Sequence, residues 1–256
     1  AGLPVRLVGG FSSGRKGVET DASGRFTVEW DRQRYEPEEA AHCLLIRDPA
    51  RNLAVAQDID EDSGALDLRL APAFTIAGRA ECDGKPIPYA SAALVFWTSD
   101  RGTHLSDLTT GTNVLGQFEI PALPTGRKYG LYVSAPGHGQ KFVNAVEAGA
   151  EAKRVELDPV ELKLANLKLA GQVLDADDKP VAKVYVNISG DDQPNAGMQT
   201  DEEGRFRFNK VCAGAVQISA NDRNSFGNLT AEGGDTNVVL RLGENFATSS
   251  DAKPLR

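Results

Sequence analysis

The chain has 256 residues, of which 41% are hydrophobic and 25% charged, a globular balance that excludes wholesale disorder, collagen and a membrane-embedded protein. Its 28 Lys and Arg stand against 36 Asp and Glu for a formal net charge of −8, which argues against nucleic-acid binding through the phosphate backbone. With 26 Gly, 13 Pro and one Met, and with Val, Leu and Thr in short runs, the composition predicts many strands and turns rather than long helices. No stretch approaches the roughly 20 apolar residues of a membrane span, so no membrane insertion is expected within this segment. The start, Ala1-Gly2-Leu3-Pro4, has neither the basic segment nor the hydrophobic run of a signal peptide. The same composition suits the water-exposed part of a longer anchored or secreted protein. Cys43, Cys82 and Cys212 lie far apart and fit neither a C-x-x-C pair, a zinc knuckle nor a disulfide framework.

In chain order, Leu3, Val5 and Leu7 alternate as a half-buried strand does. Gly10-Phe11-Ser12-Ser13-Gly14 satisfies G-x-S-x-G, but a nucleophile elbow needs a helix after it, and Gly17 and Thr20-Asp21 leave no room for one. Gly9 to Lys16 misses a phosphate loop for the same reason. Both read as loop. Glu36-Pro37-Glu38-Glu39-Ala40 suits a first helical turn, whereas Cys43 to Ile46 followed by Asp48-Pro49 reads as strand and turn. Asp58-Ile59-Asp60-Glu61-Asp62-Ser63-Gly64 has the alternating acids of a calcium loop. The EF-hand form, however, requires Gly and Glu where Ser63 and Arg69 stand, so it reads as a solvated acidic hairpin. His42, His104 and His138 make no H-x-x-x-H spacing, and no metal or cofactor is expected.

A repeat organises the rest. Thr20-Asp21-Ala22-Ser23-Gly24-Arg25-Phe26 returns as Thr112-Asn113-Val114-Leu115-Gly116-Gln117-Phe118 and as Thr200-Asp201-Glu202-Glu203-Gly204-Arg205-Phe206. The physics is that of a tight turn. Asp21, Asn113 or Asp201 caps backbone amides, Gly24, Gly116 or Gly204 takes positive φ, and a strand then begins with Phe facing the core. Upstream of the second and third copies, the strands Phe74 to Gly78 and Leu167 to Val173 run into the hairpin turns Asp83-Gly84-Lys85-Pro86 and Asp177-Asp178-Lys179-Pro180. Apolar runs follow at Ala90, Ala92, Leu94 and at Val184, Val186, Ile188. Each unit closes on alternating Leu or Val: Leu66, Leu68, Leu70; then Val155 and Leu157 or Val160, Leu162 and Leu164; then Val238, Leu240 and Leu242.

The fold class predicted is all-β: three tandem antiparallel Greek-key β-sandwich modules at 1–72, 73–165 and 166–243, with 244–256 as a polar tail. Aligning Leu3 with Val184 sets Ala1 opposite Ala182, so module 1 lacks its opening strand and hairpin. Ala1 is therefore not expected to be the natural start, and the module should carry an exposed sheet edge. The separation from the first inward residue to the motif threonine is 17 positions for Leu3 to Thr20, 22 for Ala90 to Thr112 and 16 for Val184 to Thr200. The extra length in module 2 falls in Trp97 to Asp107, where Trp97, Arg101 and His104 form the candidate partner-binding set; the plainer reading is a longer hairpin whose Trp97 caps the core. Lys168 and Asn237 are additionally placed for a strand-to-strand isopeptide bond, although no buried acid is evident to assist it.

The order of strand, Lys-Pro turn, apolar strand, Thr-Asp-x-x-Gly-x-Phe and closing strand resembles the carboxypeptidase regulatory-like domain. Leu123-Pro124-Thr125-Gly126-Arg127-Lys128-Tyr129 and Ala135-Pro136-Gly137-His138 are similar to that family's Leu-Pro-x-Gly-x-Tyr stretch and Ala-x-Gly-aromatic ending. Val211-Cys212-Ala213-Gly214-Ala215-Val216 departs from it and implies a tighter loop. The resemblance implies a prealbumin-like sandwich found as a non-catalytic module of secreted, periplasmic or surface proteins, bacterial ones especially. It implies context, not chemistry. The expected role is an extracytoplasmic accessory or protein-interaction segment without enzymatic activity; the alternative is a carbohydrate-binding module using exposed aromatics of module 2.

Overall fold

The computed structural model describes residues 2–9, 17–29, 41–98, 101–149, 151–222 and 225–244, and every regular element among them is a strand. No helix among them is long and apolar enough to cross a membrane. The G-x-S-x-G stretch, the acidic segment 36–40 and residues 245–256 of the tail lie outside the described residues.

The first sheet contains β1 (Pro4–Gly9), β2 (Val18–Glu19), β3 (His42–Asp48), β4 (Leu53–Ile59) and β5 (Ala71–Pro72), in the order β2-β1-β3-β4-β5. Next come β6 (Phe74–Cys82), β7 (Lys85–Pro86), β8 (Ser91–Thr98), β9 (Arg101–Gly111), β10 (Gln117–Leu123), β11 (Lys128–Ser134), β12 (Gln140–Glu147), β13 (Arg154–Glu156) and β14 (Val160–Glu161). They build one sheet around β6, in which β10 is antiparallel and β13 parallel to it, and a facing sheet ordered β12-β11-β8-β9. Finally β15 (Leu167–Leu174), β16 (Tyr185–Ser189), β17 (Ala196–Gln199), β18 (Arg205–Val211), β19 (Ala215–Asn221), β20 (Ser225–Glu232), β21 (Val238–Arg241) and β22 (Gly243–Glu244) give the sheets β18-β15-β21 and β17-β16-β19-β20-β22. Compact packing divides the chain into two units, Ala1–Val133 with Phe142–Glu161, and Ser134–Lys141 with Leu162–Arg256.

The predicted inward residues are buried: Ala90, Ala92 and Leu94 are fully enclosed, as are Val186 and Ile188. Alternation forces this, because residues i and i+2 of a strand share a face. In the second unit Leu169, Val173, Val186, Phe206, Ile218 and Leu240 belong to a single core cluster.

The motif threonines join the two faces of each sandwich. Thr20 Oγ1 accepts from Leu3 N at 3.0 Å, Thr112 Oγ1 from Ala90 N at 2.8 Å and Thr200 Oγ1 from Val184 N at 3.0 Å. The second and third hydroxyls also donate to the Ile87 and Val181 carbonyls. The next residue caps the turn: Oδ1 of Asp21 accepts from the amides of Ser23 and Arg25, that of Asn113 from Leu115 and Gln117, and that of Asp201 from Glu203 and Arg205. Asn113 does this with its amide oxygen, so the lost charge changes nothing in the geometry.

Module 1 corrects the sequence reading at one point. Residues 25–29 and 63–70, predicted as strands after the motif and at the module's close, form none. Their counterparts β10 with β13, and β18 with β21, are held by the strand between them, β6 or β15. Without such a strand the alternating leucines have no ladder to join, and Leu66 remains 41% exposed where Val238 is 8%.

Four polar braces tie the two strand groups of the first unit together. Buried Arg47 donates Nε–H to the Ala122 carbonyl at 2.9 Å and its Nη2 group to Pro121 O. Asn52 accepts from Ala122 N at 2.7 Å and donates to Ala73 O at 2.9 Å. Arg127 pairs with Asp58 at 2.8 Å, and Arg6 with Asp107. The Arg47 and Asn52 contacts enclose Ala122, a non-glycine residue at φ 56° that interrupts the β10–β6 register between Ile120 and Leu123. Arg47→Met keeps the aliphatic stem but leaves two carbonyls without a donor. It should lower the first unit's stability by about 2–4 kcal/mol in urea unfolding, at ~1–3 kcal/mol per stranded group, and an unchanged midpoint would contradict the brace.

Cys43, Cys82 and Cys212 are free thiols. Burial pushes the Cys43 thiol up to about 12, against a modest opposing pull from Arg127. Iodoacetamide at pH 8 should therefore leave Cys43 unmodified in the folded chain and alkylate it in urea. Native labelling at the rate of an exposed cysteine would refute that environment.

Candidate functional site

The insertion 97–107 is part of a long hairpin between β8 and β9. Its register runs Trp97↔Gly102 and Val95↔His104, then shifts between Ala93 and Leu94 so that residues 106–108 are looped out. That bulge carries Asp107 to Arg6, so part of the added length serves module 1, a use the sequence did not reveal because a partner 101 positions away leaves no local pattern.

Trp97 does not cap the core. Phe96 does the inward packing, its ring edge-on to Tyr129 at 5.5 Å, and alternation puts Trp97 on the opposite face. There the indole lies over Gly102, where an added Cβ would approach the ring to 3.3 Å, and under the Lys128 ammonium, 5.4 Å from the ring centroid. A cation at that distance is attracted by the negative face of the indole. The indole N–H is buried with no acceptor among the described residues.

His104 is exposed and points the edge of its ring at Tyr132, centroid separation 6.2 Å; Tyr132 in turn lies 4.6 Å from Phe142. Gly130 permits this, since a Cβ there would stand 2.6 Å from the Phe142 ring. The surface thus joins Trp97 and His104 with Lys128, Tyr132 and Phe142. The Arg101 side chain lies outside the described residues. Alternation along β11 was the one sequence signal for Tyr132, an outward position between buried Leu131 and Val133. Phe142 carried none.

Elsewhere the polar groups hold turns. Asp58 is taken by Arg127, and Asp60 accepts from the Ser63 hydroxyl at 2.7 Å. Calorimetric titration of the acidic hairpin with calcium should show no heat; measurable millimolar binding would mean that these pairs open. Among the described residues one trio, Cys82, Asp83 and Glu161, brings three potential ligand atoms within 4.8 Å, and Glu161 there accepts from Asp83 N. Lys168 and Asn237 are both exposed, which is no setting for an assisted isopeptide bond.

Module 3 replaces the tyrosine of the Leu-Pro-x-Gly-x-Tyr stretch by a different bond. In module 2 the Tyr129 hydroxyl donates to Pro124 O at 2.7 Å. In module 3 the buried Gln193 amide accepts from Cys212 N at 2.9 Å and donates to Cys212 O at 3.1 Å. Next to it Asp192 pairs with Lys141 and Lys163; partial burial opposes its ionisation, but the two ammonium groups hold the carboxyl below its usual range.

These features define a tandem β-sandwich protein with a polar turn motif used three times. Residues 168–245 match the carboxypeptidase regulatory-like domain, and the chain carries that domain there. Among solved structures it is similar to the streptococcal ancillary pilin, at 10% identity over 79% of this chain and 76% of that one, TM-score 0.32. It is also similar to GBS52, the minor pilin of Streptococcus agalactiae, at 14% identity over 72% and 100%, TM-score 0.36. A third similarity is to the Bacillus anthracis TIE protein, at 13% identity over 94% and 47%, TM-score 0.30. No curated protein matches the chain.

Proposed function

We propose that this chain is a non-catalytic, extracytoplasmic accessory segment that holds its parent protein's parts in place and contacts other proteins. The observation that carries this is where the polar side chains are used. Thr20, Thr112 and Thr200 with Asp21, Asn113 and Asp201 hold turns, and Arg47, Asn52, Arg127 and Arg6 brace one strand group to the next. A rigid support needs such bonds; a reaction centre needs them free for substrate. The test is a panel of ester, peptide and glycoside substrates offered to the purified chain, with turnover above a heat-unfolded control overturning the reading.

A second reading is favoured by the aromatic surface. Tyr132, 38% exposed, with His104, Phe142 and the Trp97–Lys128 pair presents rings on a rigid sheet, the kind of platform on which sugar faces stack. A glycan array probed with the native chain and with Tyr132→Ala separates the two. Reproducible binding lost in the variant supports a carbohydrate-binding module, and no binding by either supports the protein-contact role.

A further inference from the structure

We propose that module 1 is an acceptor for one β-strand, and that the strand it takes has the pattern apolar-x-apolar-Ala-Gly-x-apolar and is joined ahead of β1 through a hairpin. The proposal goes beyond the accessory role and stands on module 1's own geometry. A groove of about 920 Å³ opens between residues 24–28 and 64–70, and Leu44 and Ile46 of β3 line it. In modules 2 and 3 the corresponding place is filled. There β6 runs antiparallel to β10 and parallel to β13, and β15 stands in the same way between β18 and β21.

The equivalence is set by bonds, not by alignment alone. Leu3, Ala90 and Val184 each donate their amide to the motif threonine, and Gly2, Tyr89 and Lys183 just before them all have φ between 60° and 68°. In modules 2 and 3 the strand's amide binds the turn glycine's carbonyl, Ala80 N to Gly116 O at 2.9 Å and Val173 N to Gly204 O at 2.8 Å. No such donor reaches Gly24 O among the described residues. A Cβ on Gly116 would lie 2.5 Å from Ala80 O and one on Gly204 2.9 Å from Val173 O, but around Gly24 there is open space. The apolar walls agree: Phe118 and Phe206 are 3% and 2% exposed, while Phe26 is half-buried.

The pattern of the guest follows from its two models, Phe74-Thr75-Ile76-Ala77-Gly78-Arg79-Ala80 and Leu167-Lys168-Leu169-Ala170-Gly171-Gln172-Val173. Glycine is needed opposite the motif phenylalanine. Phe118 pairs with Gly78 and Phe206 with Gly171, and a Cβ on either glycine would stand 2.8 Å or 2.7 Å from the ring. Phe26 imposes the same demand on whatever enters. Main-chain bonds then supply affinity and the alternating pockets supply selectivity, as in strand addition generally. The link is within the polypeptide because β6 and β15 each reach the following long strand, β8 or β16, through a short hairpin.

The experiment fuses a copy of residues 166–181 ahead of Ala1 in the full chain and follows amide hydrogen exchange at residues 25–28 and 66–70. The expected result is slowing by about tenfold or more at both stretches, with exchange at 205–208 unchanged as a check on folding. The same fusion carrying Gly171→Val in the copy should give no slowing. The proposal is overturned if the glycine fusion leaves exchange unaltered, if the valine fusion protects equally, or if the free 16-residue peptide protects as well as the fused one. None of these outcomes touches the substrate panel or the glycan array, so the acceptor and the accessory role fail separately.

Discussion

Tyr129→Ala is expected to remove about 3–5 kcal/mol from the stability of the first unit, the range for emptying a large aromatic site in a core. Tyr129 is fully buried. Its ring stands edge-on to Phe74 at 5.6 Å and Phe96 at 5.5 Å, which are strands of the two facing sheets of one sandwich. Edge-to-face packing sets the positive rim of one ring on the negative face of another, so the tyrosine holds both sheets at once. Its hydroxyl closes the Pro124 turn, and burial raises the phenol's ionisation far above ordinary conditions, keeping that donor protonated. Tyr129→Phe keeps the rings and strands one carbonyl, at about 1–2 kcal/mol. Urea denaturation of both variants checks the order, and a phenylalanine variant as unstable as the alanine one would assign the loss to the hydroxyl instead.

Gly116→Ala and Gly24→Ala make the second comparison, with the same substitution in the same turn of the same unit. Both glycines lie in the left-handed region, at φ 72° and 81°, so alanine meets the same backbone penalty of about 1–2 kcal/mol at each. Around Gly24 the new methyl meets nothing; at Gly116 it would lie 2.5 Å from Ala80 O, a carbonyl already bonded to Ile87 N. Relieving that contact displaces β6, adding about 1–3 kcal/mol of overpacking cost. Equal losses at the two sites, measured by thermal unfolding of the full chain, would mean that the open flank of module 1 is filled in solution.

The candidate surface was legible only in part. Trp97 and His104 stood out because they interrupt a strand pattern with polar and aromatic types, yet Trp97 was set on the wrong face: a reading centred on the insertion overlooked that Ala92, Leu94 and Phe96 already account for the inward positions. Tyr132 and Phe142 were missed because their nearness to His104 is a property of strand order, β12-β11-β8-β9, and strand order is not local. Arg47 looked like an ordinary charge after an apolar run. Its role depends on two carbonyls more than 70 positions downstream.

By itself the sequence determined the turns, the alternating strands and the threefold repeat, because side-chain caps, positive-φ glycines and period-two burial act over a few residues and leave their pattern in the order of amino acids. It also showed that the first copy lacks its opening strand. Only the tertiary structure decided what that absence does: with no strand between them, residues 25–29 and 63–70 stay out of any ladder and their apolar side chains border an open groove. Whether a segment becomes a strand depends on a partner for its backbone groups, and a partner is supplied by the fold.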